Sequence, residues 1–293
     1  MIWTTLSSSS CLAFLYSKVK SKLESAGYSV MISPLISTGK AADDNSKISM
    51  YDDVAATRQV LEGLINQGKL LVLVGHSGGG LVAAHATQGL YVEERKAAGK
   101  TGGVVKLAFV TGAIFPVGHE HQDVPFADFQ VYLSILLFRF RPEPNVVMLW
   151  QQTFKISNCG SECELYSCSS RLEEAEQSLA NFLCQGGKMD CQSPRELLFN
   201  DLPDKEAREQ ITMLSFQPST GWNGRIQYAG WEEIPSAYMI CTKDAAIPLA
   251  FQEQMAAMAH CSPIEKCDAG HCPHVSQPDA VAAFLINVAE GAI

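Results

Sequence analysis

The sequence predicts an α/β fold: a mostly parallel sheet flanked by helices, with an insertion between its two halves. Three observations carry this expectation. Apolar, β-rich runs alternate with helical patterns over residues 1–118 and again over 236–293, as they do where helices cover both faces of a parallel sheet. Over 119–235 that alternation lapses. One stretch, Leu70-Leu71-Val72-Leu73-Val74-Gly75-His76-Ser77-Gly78-Gly79-Gly80-Leu81-Val82, passes from a buried-strand pattern through a glycine-rich turn directly into a helical pattern.

Taken in order, residues 2–6 read as a first strand closed by the polar turn Ser7-Ser8-Ser9-Ser10-Cys11. A helix is expected over 12–25, stopped by Ala26-Gly27, and a strand over 28–33, ended by Pro34. After a polar loop at 35–47, Ser49-Met50-Tyr51-Asp52 reads as a capping box, and Val54, Leu61, Leu64 and Ile65 repeat at helical spacing up to Gly68. The strand before Ser77 is followed by a helix expected over 79–98 and by a β-rich run over 104–115, ended by Pro116. Between 117 and 235 two helix-like pieces, 171–182 and 204–214, stand among aromatic and apolar clusters, while 131–168 fits no period. This segment is expected to form a cap, giving a core of 1–118 and 236–293 with residues 119–235 inserted. The pattern resumes with the strand Ala237-Tyr238-Met239-Ile240-Cys241, a helix opened by Pro248, a short strand at 264–267, and a final helix opened by Pro278. In that last helix Val281, Phe284, Leu285 and Val288 share the inward face.

Composition narrows the function. At 293 residues and 47% hydrophobic, the chain can bury a sizeable core. Its formal charge of -9 argues against a nucleic-acid or anionic-membrane partner. No basic leader precedes the short apolar run at 11–16, and the longest apolar cluster, 131–138, is too short to span a bilayer. A cytoplasmic protein is therefore expected. The ten cysteines are irregularly spaced, and Cys159, Cys163, Cys168, Cys184 and Cys191 lack the paired spacing of a zinc site. Free thiols and no metal are expected. Neither a G-x-G-x-x-G nor a P-loop ending is present, so no cofactor is expected.

The chemistry centres on Ser77. A serine at a sharp strand-to-helix turn needs residues without side chains two positions to either side, because strand, turn and helix approach too closely for a Cβ; Gly75 and Gly79 meet that need. A serine hydroxyl is a weak nucleophile at neutral pH and requires a base within reach and an acid to orient the base. In a parallel sheet the carboxyl ends of the strands share one edge, so both partners are sought just after later strands. Asp244 follows the strand ending at Cys241, and His271 follows the one ending near Cys267. Each has a rival. His274 competes for the base, but His271 follows Gly270 directly off the strand. Asp268 competes for the acid, although so close to His271 it is placed to form a local turn. His76 reads as a packed neighbour and His85 as structural. His119 and His121, at the mouth of the expected cap, read as loop residues in solvent or against substrate. An oxyanion would be met by the backbone N–H of Gly78 and by that of Ser8 or Ser9 in the turn after the first strand.

Several pieces together carry a resemblance: Leu23-Glu24-Ser25-Ala26-Gly27-Tyr28, Val74-Gly75-His76-Ser77-Gly78-Gly79, Lys106-Leu107-Ala108-Phe109-Val110, Leu198-Phe199-Asn200-Asp201-Leu202-Pro203, Ile234-Pro235 with Cys241-Thr242-Lys243-Asp244, and Asp268-Ala269-Gly270-His271-Cys272-Pro273-His274-Val275-Ser276-Gln277-Pro278. With these the chain resembles the α/β-hydrolase superfamily, in particular the small microbial serine hydrolases related to esterases, lactonases and carbon–carbon bond hydrolases. The resemblance implies an α/β-hydrolase fold with an inserted cap, and carries the nucleophile onto Ser77, the acid onto Asp244 and the base onto His271. Family members usually begin with two further strands or carry a His-Gly or Pro-Gly turn where this chain has its serine turn, so a shortened N-terminus is expected. The function it implies is cleavage of an ester, thioester or lactone of a mostly apolar small molecule through an acyl-enzyme. Carbon–carbon bond hydrolysis or a biosynthetic cyclisation on the same three residues is the alternative, and a catalytically impaired ligand-binding protein the third reading. Sequence leaves the oligomeric state open.

Overall fold

Both flanks of the chain build a single six-stranded sheet in the computed structural model, which describes residues 2–7, 13–33, 35–38, 48–121, 182–185, 188–191, 193–214, 217–218 and 224–292. The strands in chain order are β1 (Ile2–Ser7), β2 (Ser29–Ile32), β3 (Leu70–His76), β4 (Gly103–Val110), β5 (Glu120–His121), β6 (Phe182–Gln185), β7 (Lys188–Cys191), β8 (Gln217–Pro218), β9 (Gly224–Arg225), β10 (Ser236–Cys241) and β11 (Ile264–Cys267). The main sheet has the order β11-β10-β4-β3-β1-β2, and every pairing in it is parallel. The turns after β3, β4, β10 and β11 therefore open at one edge. This is the arrangement that the alternation of short β-rich runs and helical patterns predicts.

Burial explains why β3, β4 and β10 read as unbroken apolar runs. All of β4 and β10, and β3 beyond Leu70, are buried on both faces. On one face Val72, Val74, Ala108, Val110, Met239 and Cys241 pack with Val19 and Leu23 of the helix Ser17–Ser25 and with Val281, Phe284, Leu285 and Val288 of the helix Pro278–Glu290. Fully burying a side chain of this size contributes about 1.5–3 kcal/mol. The helix Gly79–Ala86 packs against β3 and carries the helix Met50–Ile65 on it, and the helix Leu249–Met258 packs against β10. The capping box forms as expected: the Ser49 backbone N–H and hydroxyl both donate to the Asp52 carboxylate, at 2.8 and 2.7 Å.

Two elements differ from expectation. The helix expected over 79–98 is two helices, Gly79–Ala86 and Val92–Ala97. The Thr87 hydroxyl bonds back to the Ala84 carbonyl at 2.8 Å, and Gly89 takes a φ of +70°, which an α-helix does not admit. The strand expected over 104–115 stops at Val110, because Thr111 turns the chain out of the sheet at a φ of 39°. The helix-like piece at 171–182 falls outside the described residues except Phe182, which opens a strand. The second piece is helical over Asp204–Ile211.

The chain divides into two units, 1–122 with 182–293, and 123–181; the latter lies outside the described residues, as does the aperiodic stretch 131–168. Within 182–235 the antiparallel strands β6, β7 and β8 form a small sheet, β9 pairs with β5, and a short helix, Pro194–Leu197, precedes Asp204–Ile211.

Candidate active site

Ser77 follows β3 in a left-handed conformation, φ 53°, two residues before the helix Gly79–Ala86. For a residue with a Cβ this backbone is strained, and it persists only where the surroundings dictate it. Here the glycines dictate it. A Cβ on Gly75 would lie 2.6 Å from Gly80 Cα, and one on Gly80 would lie 2.4 Å from the Ala113 carbonyl oxygen, so strand, helix and the turn after β4 meet backbone to backbone. The Ala113 N–H then donates to the Ser77 carbonyl at 2.8 Å. Gly80 was not singled out in the sequence, since its constraint comes from a residue on another strand's turn.

Asp244 stands in the turn after β10, buried, with its carboxylate held by four donors. The backbone N–H groups of Ala246 and Ile247 both reach Oδ1 at 2.8 Å. The Thr111 hydroxyl and His271 Nδ1 meet at Oδ2, the latter at 2.9 Å. Gln252 fixes the same turn, accepting from Cys241 N–H at 2.8 Å and donating to the carbonyls of Cys241 and Ile247 at 3.0 and 2.7 Å. His271, 2% exposed, stands after β11. A carboxylate only accepts, so the partner of Asp244 is Nδ1–H, which leaves Nε2 as an acceptor for the Ser77 hydroxyl at 3.0 Å. Ser77, His271 and Asp244 are thus one hydrogen-bonded line.

The rivals lie elsewhere. Asp268 is exposed and bonds Lys243 Nζ at 2.7 Å and the Thr242 hydroxyl at 3.2 Å. His274 is fully buried, stacked on Tyr16 with ring centroids 4.0 Å apart and edge-on to His76 at 4.8 Å. Burial holds it well below the ordinary histidine value, and so neutral. His76 does more than pack. Its Nε2 lies 2.7 Å from the carbonyl oxygen of His271, which it holds from behind. Burial, with the His271 ring adding to it, pushes His76 from 6.5 down to about 3, so the ring is neutral and Nε2–H is the donor. His85 lies edge-on to Tyr51 at 5.9 Å. His119 is buried and stacked on Phe115 at 4.4 Å, in place of the solvated loop residue expected; the His121 side chain lies outside the described residues.

Gly78 follows Ser77 at the head of the helix with φ −61° and ψ −16°. Ser8 and Ser9 lie outside the described residues. Among the described residues no group of His, Cys, Asp and Glu is arranged to hold a metal ion, and no helix is long and apolar enough to cross a membrane. Cys241, Cys261 and Cys267 are free thiols; burial raises Cys241 and takes Cys261 up to about 12, far from a reactive thiolate. Cys159, Cys163 and Cys168 lie outside the described residues.

A family model described as "Alpha/beta hydrolase family" matches residues 9–284. The chain is similar to Alpha/beta hydrolase nvfD of Aspergillus novofumigatus, with 28% identity over 243 residues that cover 83% of this chain and 79% of that one. It is similar also to Norfluorocurarine synthase 2 of a Strychnos species, with 22% identity over 287 residues that cover 95% and 91%. Among solved structures it shares its fold with polyneuridine aldehyde esterase, at a TM-score of 0.66 and 16% identity over 98% of both chains.

Proposed function

The chain belongs to the alpha/beta hydrolase family, and from that premise we propose that it is a serine hydrolase cleaving an ester, thioester or lactone of a mostly apolar small molecule. Ser77 is the nucleophile, His271 the general base and Asp244 the residue that orients it. The line Asp244 Oδ2 to His271 Nδ1 at 2.9 Å and His271 Nε2 to Ser77 Oγ at 3.0 Å carries this reading.

His271 Nε2 takes the hydroxyl proton as Ser77 Oγ attacks the substrate carbonyl carbon. The imidazolium that results is stabilised by Asp244. The oxyanion of the tetrahedral intermediate is met by the N–H of Gly78 and that of Ser8 or Ser9. Collapse expels the alcohol or thiol, which leaves with the proton from His271, and the acyl group stays on Ser77. Water then enters, gives a proton to His271 and attacks the acyl carbon; the acyl carbon–Oγ bond breaks, His271 returns the proton to Ser77 Oγ, and the acid is released. The aromatic and apolar composition of residues 119–235 is what favours a mostly apolar substrate. The esterase name of the structural neighbour favours ester over carbon–carbon cleavage; the synthase name of the Strychnos relative is the observation behind a biosynthetic alternative on the same residues.

Hydrolysis of a panel of p-nitrophenyl esters and acyl thioesters tests the reading. Ser77→Ala should lower kcat by roughly a million-fold at unchanged fold. Turnover equal to that of the unaltered chain contradicts it.

A further inference from the structure

Asn200 and Asp201 lie between the helices Pro194–Leu197 and Asp204–Ile211, far in sequence from Ser77, Asp244 and His271, and the proposed chemistry gives them no task. Their contacts are specific. Asn200 Nδ2 donates to the Lys243 carbonyl at 2.7 Å, on the residue before Asp244. Asp201 Oδ2 accepts the Gly270 N–H at 2.7 Å, on the residue before His271. One dipeptide therefore holds the backbone immediately ahead of the acid and immediately ahead of the base.

The fit leaves no slack. A Cβ on Gly270 would lie 2.1 Å from Asn200 Oδ1 and 2.9 Å from Asp201 Oδ1, so a side chain there would push the two turns off the dipeptide. The dipeptide is itself fixed from behind. Phe199 is fully buried, and the Arg195 guanidinium donates to the carbonyls of Phe199 and Leu202 at 2.6 and 3.1 Å and to Asp204 Oδ1 at 2.9 Å. The turns also touch each other through Lys243 N–H to the Ala269 carbonyl at 3.0 Å and through the Lys243–Asp268 pair. That pair is exposed, and such pairs constrain little.

We propose that Asn200 and Asp201 are positioning residues that set the separation of the Asp244 and His271 turns and so the His271–Asp244 hydrogen bond. The proposal rests on the serine-hydrolase reading for its kinetic consequence, though not for its structural one. A displacement of about 1 Å in a reacting group costs on the order of a hundred-fold in rate.

Asn200→Ala, Asp201→Ala and Asp201→Asn, made in the full chain, test it by ester kinetics, thermal melting and the low-field proton resonance of His271 Nδ1–H. Asp201→Ala and Asn200→Ala are expected to lower kcat by about 10- to 100-fold with KM changed less than about two-fold, and to shift or broaden that resonance. Asp201→Asn keeps an acceptor oxygen and should recover most of the rate and the resonance. Should Asp201→Ala fail to fold, Asn200→Ala, whose side chain is exposed, bears the same expectation. Folded alanine variants with the rate and resonance of the unaltered chain overturn the proposal, as does an asparagine variant as impaired as the alanine one. If the unaltered chain cleaves no ester, the serine-hydrolase reading fails while the resonance, which needs no substrate, still judges the clamp; absence of the resonance in the unaltered chain counts against the clamp itself.

Discussion

At the scale of single residues, Asp244 depends on Thr111. A carboxylate buried beside a neutral imidazole is costly unless its oxygens are met, and hydrogen bonds to charged groups contribute about 1.5–3 kcal/mol each. Thr111 gives one of the two contacts to Oδ2, from a left-handed backbone position that a β-branched residue rarely takes. Thr111→Val keeps the shape and removes the donor. It is expected to cost about 1–3 kcal/mol in stability by urea unfolding and to lower kcat about tenfold with little change in KM, while Thr111→Ser retains most of both. Ser77, Asp244 and His271 were legible in the sequence because each follows a β-rich run, and parallel strand ends share an edge. Thr111 and His76 were not, since their partners lie 133 and 195 residues away and no local pattern marks them.

At the scale of elements, the turn at Ser77 works because β3, the helix after it and the turn after β4 approach without side chains between them. Gly80→Ala would put a methyl 2.4 Å from the Ala113 carbonyl, and backbone on both sides cannot yield by that much. The helix must tilt away and the Ala113–Ser77 bond must break. The variant should melt several degrees lower and lose hydrolysis, whereas Gly63→Ala, on the exposed face of the helix Met50–Ile65 with nothing within 4 Å of the new Cβ, should gain about 0.5–1 kcal/mol. A Gly80→Ala protein that melts and turns over like the unaltered chain contradicts this account of the turn. The helix starts after Ser49 and at the prolines 248 and 278 were read well, because a capping box and a proline act locally. The break after Ala86 and the end of β4 at Val110 were overrun, because apolar residues continue past both and only the backbone of Gly89 and Thr111 marks the stop.

At the scale of the whole molecule, the chain carries an acid sensitivity that follows from its buried histidines. Burial keeps His76 and His274 neutral in the folded chain, His76 down to about 3, while in the unfolded chain both titrate near 6.5. Below 6.5 the unfolded chain therefore binds more protons, and stability falls as pH drops below 6.5, by about 1.4 kcal/mol per pH unit for each group, down toward 3 for His76; above 6.5 neither changes it. His274→Phe keeps an aromatic ring against Tyr16 and removes one titration. Urea unfolding at pH 7, 6 and 5 should show its acid limb shallower by that amount, and an unchanged slope contradicts the assignment. The parallel direction of the sheet followed from the alternation on the two flanks, whereas its strand order came only with the structure. Between them the alternation lapses and 131–168 fits neither period, so a cap there was suggested by composition and by the gap in the pattern.

The most direct test of the central claim is labelling of the unaltered chain with a fluorophosphonate, followed by peptide mapping by mass spectrometry. It asks at once whether Ser77 is activated by His271 and whether an oxyanion is accommodated beside it. The account predicts one adduct, on Ser77, lost in His271→Ala as well as in Ser77→Ala. Labelling that falls on another serine, or that survives His271→Ala at the same rate, contradicts it.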